Sequence, residues 1–262
     1  MRIEKIAHRG ASREAPENTL LAFELAFQKY HCDYVEMDVR LTRDGVPVIF
    51  HDPTLERVTN VQGQVCYFSK NEIQRLDAGF GFDPSGKKEF PYRGKGIRIP
   101  TLEEVLTRFS NQKFFIEMKD RGASAAQKVL GVIRLLGAKT HWVIGSFHGP
   151  TMRAFRTLAG SSVETFLAED EVLTAYVRFR LGSKKITLPG RFASLPRGKY
   201  RVALDDPRWI QFLHHQGAKV YYWTVNEQRE MDELLGRGAD GIVTDYPDRL
   251  SALISGTGPT NA

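Results

Sequence analysis

The sequence predicts an α/β fold, a (β/α)₈ barrel of the TIM type, and two observations favour it. Short β-rich segments alternate with amphipathic segments along most of the 262 residues, which is typical of parallel strands joined by helices. Eight strand segments are present, and eight is the number that closes such a barrel. An open doubly wound sheet is the structural alternative, but no glycine-rich dinucleotide fingerprint follows a strand.

The predicted strands are short runs rich in apolar residues, and most are separated by helical patterns. They are KIAHRG (5–10), YVEMDV (34–39), FFIEMK (114–119), WVIGSF (142–147), ETFLAE (164–169), KKITLP (184–189), VYYWTV (220–225) and GIVTDY (241–246).

Amphipathic segments supply the predicted helices. The segment NTLLAFELAFQKY carries an apolar stripe with helical recurrence that includes Leu20, Phe23 and Phe27. Asn18 or Thr19 is its expected N-cap. Further helices are expected at 101–109, 124–136, 150–159, 207–216 and 226–237.

The barrel is expected to be a single domain over residues 1–254. Residues 52 to about 100 interrupt the alternation of strands and helices, and they are rich in glycine and proline. We therefore predict an insertion after the second strand and its hairpin, with little regular structure beyond a short helix near 69–76. The small and polar residues 255–262 are predicted to form a flexible tail.

The composition is that of an ordinary globular protein, with 42% hydrophobic and 26% charged residues. No run approaches the roughly 20 apolar residues that span a bilayer, and the first residues do not form a signal peptide. Two cysteines argue against a disulfide framework, so we expect a cytoplasmic protein. The net charge of +6 gives weak support to an anionic substrate, and no nucleic-acid-binding motif accompanies the scattered basic residues or their minor cluster at 178–185.

Two acidic residues lie on the second predicted strand, in EMDVRLTRDGVPVIFH (36–51). Side chains alternate between the faces of a strand, so Glu36 and Asp38 point to the same side. Two acids on an interior face carry a large desolvation cost unless a cation or hydrogen-bond donors balance them.

A hairpin is expected to return His51 to these acids. Asp44 and Gly45, between strand-like residues, indicate a two-residue loop. In that register Asp38 lies directly opposite His51, and opposed residues share a face. A one-residue bulge would move His51 to the other face, so the prediction depends on the register.

Further charged residues are predicted at the carboxyl ends of strands, where the site of a barrel forms. Glu117 and Lys119 share one face of the third strand, and His8 and Arg9 end the first. The three acids can therefore converge on one hard divalent cation, Mg²⁺ or Ca²⁺, while Arg9 and Lys119 supply positive charge for an anion. Zinc is less favoured because the pattern includes no cysteine and no closely spaced pair of histidines.

A series of longer motifs runs in order from about residue 5 to residue 250. The motifs are HRGASREAPENTLLAF, YVEMDVRLTRDGVPVIFHDPTLERVTN, IPTLEEVL, IEMK, SF, WTVN and DGIVTDYP. Together they resemble the glycerophosphodiester phosphodiesterases, whose H-R-G, P-E-N-T, E-x-D and H-D elements have this spacing. The resemblance implies a metal-dependent phosphodiesterase on a TIM barrel, which cleaves glycerophosphodiesters to sn-glycerol 3-phosphate and an alcohol.

The insertion at residues 52 to about 100 matches the small domain that members of this family carry beside the barrel mouth. The resemblance also implies roles for individual residues. His8 and His51 match the catalytic acid/base pair. The other matches are Glu36, Asp38 and Glu117 as ligands of one divalent cation, Arg9 and Lys119 as phosphate contacts, Trp223 as an aromatic wall, and Glu17 and Asn18 as supporting residues of P-E-N-T.

Several alternatives stay open at this point. The nucleophile is either a hydroxyl of the substrate's own glycerol, through a cyclic phosphate, or a water molecule, and either histidine can act as the base. A lysophospholipase D, which acts on diesters with an acyl chain on the glycerol, is the alternative enzyme. A non-catalytic barrel that binds glycerophosphodiesters or acidic headgroups is the alternative of another class. The choice between Mg²⁺ and Ca²⁺, the alcohol and the oligomeric state also stay open.

Overall fold

The predicted (β/α)₈ barrel is confirmed in a computed structural model that describes residues 2–137, 142–197 and 202–256. Its strands are β1 (Glu4–His8), β2 (Tyr34–Leu41), β3 (Pro47–Ile49), β4 (Phe114–Met118), β5 (Trp142–Gly145), β6 (Glu164–Thr165), β7 (Phe192–Pro196), β8 (Lys219–Trp223) and β9 (Gly241–Thr244). The order β6-β5-β4-β2-β1-β9-β8-β7 gives the eight barrel strands, and β3 pairs with β2 outside this path. Every pairing between barrel strands is parallel.

The two ends of that order meet and close the barrel. Phe166, directly after β6, forms a parallel bridge with Phe192 of β7, and the amide of Leu167 donates to the carbonyl of Phe192 at 2.8 Å. A glycine is needed at position 190, because a Cβ there would lie 2.6 Å from the carbonyl oxygen of Thr165.

A layer of buried, mostly aromatic side chains fills the barrel interior. Its members are Ile6, Tyr34, Phe115, Val143, Phe166, Phe192, Tyr221 and Val243. Tyr34 and Phe115 come two residues before Glu36 and Glu117, so strand alternation places these acids on the same interior face. This packed layer therefore lies directly beneath the charged residues at the carboxyl ends of the strands.

The helices largely follow the predicted pattern. They are α1 (Leu20–Gln28), α2 (Lys70–Ile73), α3 (Leu102–Arg108), α4 (Ala123–Leu135), α5 (Gly149–Ala159), α6 (Glu169–Arg180), α7 (Pro207–His215), α8 (Gln228–Gly236) and α9 (Pro247–Ile254). Thr19 is the N-cap of α1, since its side chain accepts from the amide of Ala22. The sequence did not predict α6 and α9.

The prediction of a strand at KKITLP is wrong. The sixth barrel strand is instead β7, whose sequence FASLP has no β-branched residue. Ile186 and Leu188 follow the alternating apolar pattern of a strand, but both side chains pack against the apolar cluster between the barrel and its helices. The amide of Ile186 donates to the side chain of Gln216 at 2.9 Å rather than to a strand.

The predicted register of the β2–β3 hairpin is also wrong, by one residue. Val39 pairs with Ile49 and Leu41 with Pro47, so the loop has one residue more than the Asp44-Gly45 dipeptide. Gly45 adopts the left-handed conformation (φ +72°) that ends a three-residue hairpin loop. The carbonyl of Asp38 therefore accepts from Phe50, at 2.9 Å, and not from His51.

The inserted residues contain little regular structure, as predicted. A 3₁₀ turn at Val65–Tyr67 and the short helix α2 are the elements within them, and their apolar residues form a separate small cluster with Val48 and Phe50. Of the predicted tail, residues 257–262 lie outside the described part of the chain. Within the described part, no helix has the length and apolar content needed to cross a membrane.

Candidate active site

Three neighbouring strands place four predicted residues side by side. His8 is the last residue of β1 and lies next to Glu36 of β2 in the parallel register. Asp38 lies next to Glu117 of β4 in the same way. Strand pairing alone therefore gathers these side chains at the carboxyl end of the barrel, as the sequence predicts.

The three acids form a cluster that fits one cation. Glu36, Asp38 and Glu117 each offer an oxygen, and these oxygens lie within 4.8 Å of one another. Oxygens at that spacing can all reach a central divalent ion at about 2.1 to 2.5 Å. Oδ1 of Asp38 is buried, and among the described residues it has an ion pair with Lys119 at 3.0 Å but no hydrogen bond.

The charges of this cluster are incompletely balanced. Burial, and then the charge of Asp38, raise the pKa of Glu36 to about 8. Burial also raises the pKa of Glu117, although Lys119 partly opposes the shift. For Asp38 burial is outweighed by Lys119 and Arg9, and its pKa falls to about 2. A bound cation would favour the ionised form of all three acids, since metal ligands must be deprotonated.

Two basic residues contact the acids. Nζ of Lys119 lies 3.0 Å from Oδ1 of Asp38, without the alignment of a hydrogen bond, and 2.9 Å from Oε2 of Glu117. Nε of Arg9 lies 3.1 Å from Oδ2 of Asp38, and its amide donates to Glu36 at 3.2 Å. Both positive charges are therefore positioned where an anion above the acids would meet them.

Asn18 forms two hydrogen bonds with Asp38. Its Nδ2 donates to Oδ2 of Asp38 at 2.9 Å, and its Oδ1 accepts from the amide of Asp38 at 3.3 Å. Asn18 is buried and adopts a left-handed backbone (φ +57°), which asparagine tolerates better than most residues. The structure thus places this predicted supporting residue against a metal-ligand candidate.

Glu17 belongs to a chain of ion pairs that joins the barrel to the insertion. It accepts from Arg9 at 3.0 Å and from Arg57 at 2.7 and 2.8 Å. Arg57 in turn donates to Asp52 at 2.5 Å, and Asp52 lies 2.6 Å from Nδ1 of His51. Sequence reasoning did not single out Arg57, because its pairing with Glu17 joins residues 40 positions apart in the chain.

Each predicted catalytic histidine has a carboxylate at Nδ1. Asp245, directly after β9, lies 2.7 Å from Nδ1 of His8, and Asp52 is the partner of His51. Sequence reasoning assigned neither aspartate a role, although both stand inside quoted motifs, H-D and V-T-D-Y. A carboxylate at Nδ1 holds the proton there, which leaves Nε2 as the nitrogen that can exchange a proton.

The two histidines differ in the direction of their pKa shifts. Burial lowers the pKa of His8, but the hydrogen bond to Asp245 and the charge of Glu36 outweigh it, so the net shift is upward. Burial also lowers the pKa of His51, and Arg9 adds to this, so that Asp38 and Asp52 do not restore it.

His51 reaches the site in spite of the changed register, because the chain leaves the strand after Ile49. Nε of Arg40 donates to the carbonyl of His51 at 2.8 Å, and Asp120 holds Arg40 at 2.8 Å. The position of His51 is therefore fixed by a side chain of β2 rather than by the strand ladder.

A cavity of about 160 Å³ unites most of these residues. His8, Arg9, Glu36, His51, Glu117, Lys119 and Trp223 all line it. Trp223 forms a wall with Phe147, and their rings meet edge to face at 5.2 Å. Asp38 lies beneath the cavity with its side chain 1% exposed, and Glu17 lines a neighbouring hollow beyond Arg9.

The chain is similar to known proteins over nearly its whole length. Residues 8–249 match the model of the glycerophosphoryl diester phosphodiesterase family. A glycerophosphodiester phosphodiesterase of Bacillus subtilis is 31% identical over 94% of this chain and 85% of its own. One from Caldanaerobacter subterraneus subsp. tengcongensis is 30% identical over 95% and 96%. A crystal structure of the Agrobacterium tumefaciens enzyme is 27% identical, with a TM-score of 0.75 over 95% of this chain and 99% of that one.

Proposed function

The chain belongs to the glycerophosphoryl diester phosphodiesterase family, and we propose that it hydrolyses glycerophosphodiesters to sn-glycerol 3-phosphate and an alcohol. The observation that carries this proposal is the joint placement of three convergent carboxylates and two carboxylate-backed histidines at one end of the barrel. Packing alone does not account for such a set, because buried charged groups carry a desolvation cost.

The acidic cluster is the proposed site of one divalent cation, Mg²⁺ or Ca²⁺, with Glu36, Asp38 and Glu117 as ligands. Carboxylate oxygens are the ligands that both cations prefer, and the convergence of three of them, with the buried Oδ1 of Asp38 making no hydrogen bond to a described residue, supports this assignment. When bound, the cation supplies Lewis-acid stabilisation of negative charge on the phosphoryl oxygens.

Arg9 and Lys119 are the proposed phosphate contacts. Both line the cavity of the histidines, and both are paired with the acids on its floor. A phosphodiester carries one negative charge and gains more as a nucleophile adds. Cationic groups fixed in place before the reaction stabilise that growing charge without the cost of reorganisation.

His8 and His51 are the proposed proton carriers. One accepts the proton of the attacking hydroxyl as the new P–O bond forms, and the other protonates the leaving oxygen as its P–O bond breaks. Asp245 and Asp52 hold the rings through Nδ1 and leave Nε2 for this exchange. The attacking hydroxyl belongs either to water, which gives sn-glycerol 3-phosphate directly, or to the substrate's glycerol, which gives a cyclic phosphate. In the second route water must then add to the phosphorus and open the ring, with the two histidines exchanging their roles as acid and base.

A panel of glycerophosphodiesters tests the proposal. The protein is incubated with glycerophosphocholine, glycerophosphoethanolamine, glycerophosphoinositol and glycerophosphoglycerol, and sn-glycerol 3-phosphate is measured, with a phosphomonoester as the control substrate. We expect turnover of at least one diester and none of the monoester. Tight binding of all diesters without turnover, at any divalent cation tested, would instead establish a non-catalytic binding barrel.

A further inference from the structure

An exposed apolar stripe runs along the outer side of α6. Leu173, Val177 and Leu181 follow one another at intervals of four residues, along the helix and just beyond its last residue, so their side chains share one side. They are 56%, 48% and 80% exposed, whereas Ala175, on the opposite side of the helix, is buried in the apolar cluster beneath it. Contiguous exposed apolar side chains of this kind mark an interaction surface more often than a lone exposed leucine does.

Basic side chains surround this stripe, and they form the basic cluster at 178–185 in the sequence. Each residue turns a helix by about 100°, so Arg178 and Arg180 lie on opposite sides of the stripe. Lys184 and Lys185 come after the turn that ends the helix, and all four residues are exposed. The apolar stripe is therefore flanked by positive charge along its length and at its end.

The turn after α6 holds the two lysines in a defined place. Before them, the amide of Ser183 donates to the carbonyl of Arg178 at 3.0 Å. After them, the amide of Ile186 donates to the side chain of Gln216 at 2.9 Å, and that side chain also donates to the carbonyl of Lys184 at 3.2 Å. The lysine pair is thus presented at one end of the stripe rather than on a free tail.

The positive charge around the stripe is not balanced by neighbouring acids. Within the described part of the chain, Arg178, Lys184 and Lys185 have no ion pair, and Arg180 donates to the neutral hydroxyl of Tyr176 at 3.2 Å. The sequence from 172 to 204 contains eight basic residues and no acidic one, although the net charge of the whole chain is only +6. The four basic residues and the three of the stripe, named here the α6 surface, therefore favour an anionic partner.

We propose that the α6 surface docks on an anionic lipid membrane. The helix lies along the interface, with its apolar side chains among the lipid headgroups and its basic side chains against their phosphates. A second copy of this chain is a poorer partner, because two such surfaces would bring like charges together. A nucleic acid matches the charge, but its phosphate backbone offers nothing to three exposed apolar side chains.

The chemistry of the proposed substrates favours a membrane over an acidic protein. A glycerophosphodiester has the skeleton of a phospholipid without its acyl chains, so it arises where phospholipids are deacylated. Docking would keep the protein close to that source. This last argument rests on the proposed function, whereas the stripe and the charges around it do not.

Binding to vesicles tests the proposal directly. The protein is sedimented with vesicles of phosphatidylcholine alone and with vesicles of phosphatidylcholine mixed with phosphatidylglycerol, at low and at high salt. We expect it to bind the anionic vesicles, less strongly at high salt because the attraction is partly electrostatic, and to bind the neutral vesicles much more weakly. A protein that stays in solution with anionic vesicles at low salt would overturn the proposal.

Matched lysine variants localise the contact. Lys184→Gln with Lys185→Gln removes two charges from the α6 surface, and Lys87→Gln with Lys88→Gln removes two exposed charges from the insertion. Each basic residue near an anionic surface strengthens binding about fivefold, so the first pair should weaken binding about 30-fold. The second pair should leave it unchanged. An equal loss in both pairs would show attraction to net charge alone and overturn the α6 surface as the contact.

A second set of variants tests the apolar stripe. Leu181→Gln should weaken binding to anionic vesicles about tenfold, because an apolar side chain no longer enters the interface. Leu135→Gln is the control, since Leu135 is 70% exposed at the end of α4, away from the α6 surface, and its replacement should leave binding unchanged. Binding that Leu181→Gln does not alter would contradict insertion of the stripe.

Two further measurements separate the membrane from other readings. Self-association of the protein without lipid, abolished by Leu181→Gln, would assign the stripe to a second copy and overturn the membrane proposal. Hydrolysis of a soluble glycerophosphodiester, without vesicles, should be the same in the wild type and in all these variants. Its absence from the wild type would remove the phosphodiesterase proposal, while vesicle binding would still decide the docking surface.

Discussion

The carboxylate of Asp245 lies 2.7 Å from Nδ1 of His8, although 237 positions separate the two residues in the chain. Parallel pairing of β1 with β9 brings them together, because the first and last barrel strands are neighbours. Asn226 and Ser12 also donate to Asp245, at 2.8 and 3.1 Å, and fix its orientation. Asp245 is therefore a positioning residue for His8.

Substitution of Asp245 by asparagine should change the pH dependence of the reaction. The hydrogen bond and the charge of Asp245 raise the pKa of His8 against the opposing effect of burial. Asp245→Asn should therefore move the limb of the pH–rate profile that belongs to His8 to lower pH. Ser12→Ala is the control, because it removes a neutral donor from Asp245 and leaves the negative charge. An unmoved limb with a reduced rate would assign Asp245 a structural role only.

Removal of either cavity histidine should slow turnover strongly. His8→Ala and His51→Ala are each expected to lower kcat for the best glycerophosphodiester by about 10² to 10⁴, the usual contribution of general acid–base catalysis. The exposed His215, at the end of α7, provides a matched control, and His215→Ala should leave kcat unchanged. Undiminished hydrolysis by the His51 variant would refute the acid/base assignment.

The acidic cluster should destabilise the protein in the absence of a cation. Because the pKa of Glu36 is raised to about 8, folded Glu36 holds its proton where the unfolded chain has lost it, between about pH 4.5 and 8. The contribution of Glu36 to the free energy of unfolding therefore falls as the pH rises through this window. In chelator at pH 8, Glu36→Gln should melt a few degrees above the wild type, and added cation should stabilise the wild type only. Equal melting temperatures in chelator would contradict the charge imbalance.

Asn18 should support cation binding through Asp38. Asn18→Gly removes both hydrogen bonds to Asp38 but keeps a residue that accepts the left-handed backbone, whereas Asn18→Ala adds strain of about 1 kcal/mol or more. Both variants are expected to bind the cation about 10- to 100-fold more weakly, as measured by calorimetry. The alanine variant alone should show the extra loss of unfolding free energy. Wild-type affinity in the glycine variant would show that Asn18 does not position the ligand.

Much of the site follows from strand alternation, and the errors arise where the chain leaves regular strands. Glu36, Asp38 and Glu117 share an interior face simply because they are spaced by two or lie in register. The predicted hairpin register was wrong because the Asp44-Gly45 dipeptide is compatible with two loops. It suits a two-residue loop, and it also suits the end of a three-residue loop in which Gly45 is left-handed. His51 nevertheless reached the cavity, held by Arg40 in a contact that no local pattern encodes.

Contacts between residues that are distant in the chain also escaped sequence reasoning. Asp245 and Arg57 acquire their roles only when the barrel closes and the insertion folds against it. The strand at β7 was misplaced because Ile186 and Leu188 show the alternation of a strand while they pack outside the barrel. The spacing of residues in a sequence indicates local periodicity, but it does not reveal contacts between residues that are distant in the chain.

Titration of the metal-free protein with Mg²⁺ or Ca²⁺, with binding and glycerophosphodiester hydrolysis followed on the same samples, tests the central claim most directly. We expect activity to be absent in chelator and to rise in step with one bound cation per chain, and Asp38→Asn to lose both. Full activity in the presence of chelator, or a cation that binds equally well to the Asp38 variant, would contradict the proposed site.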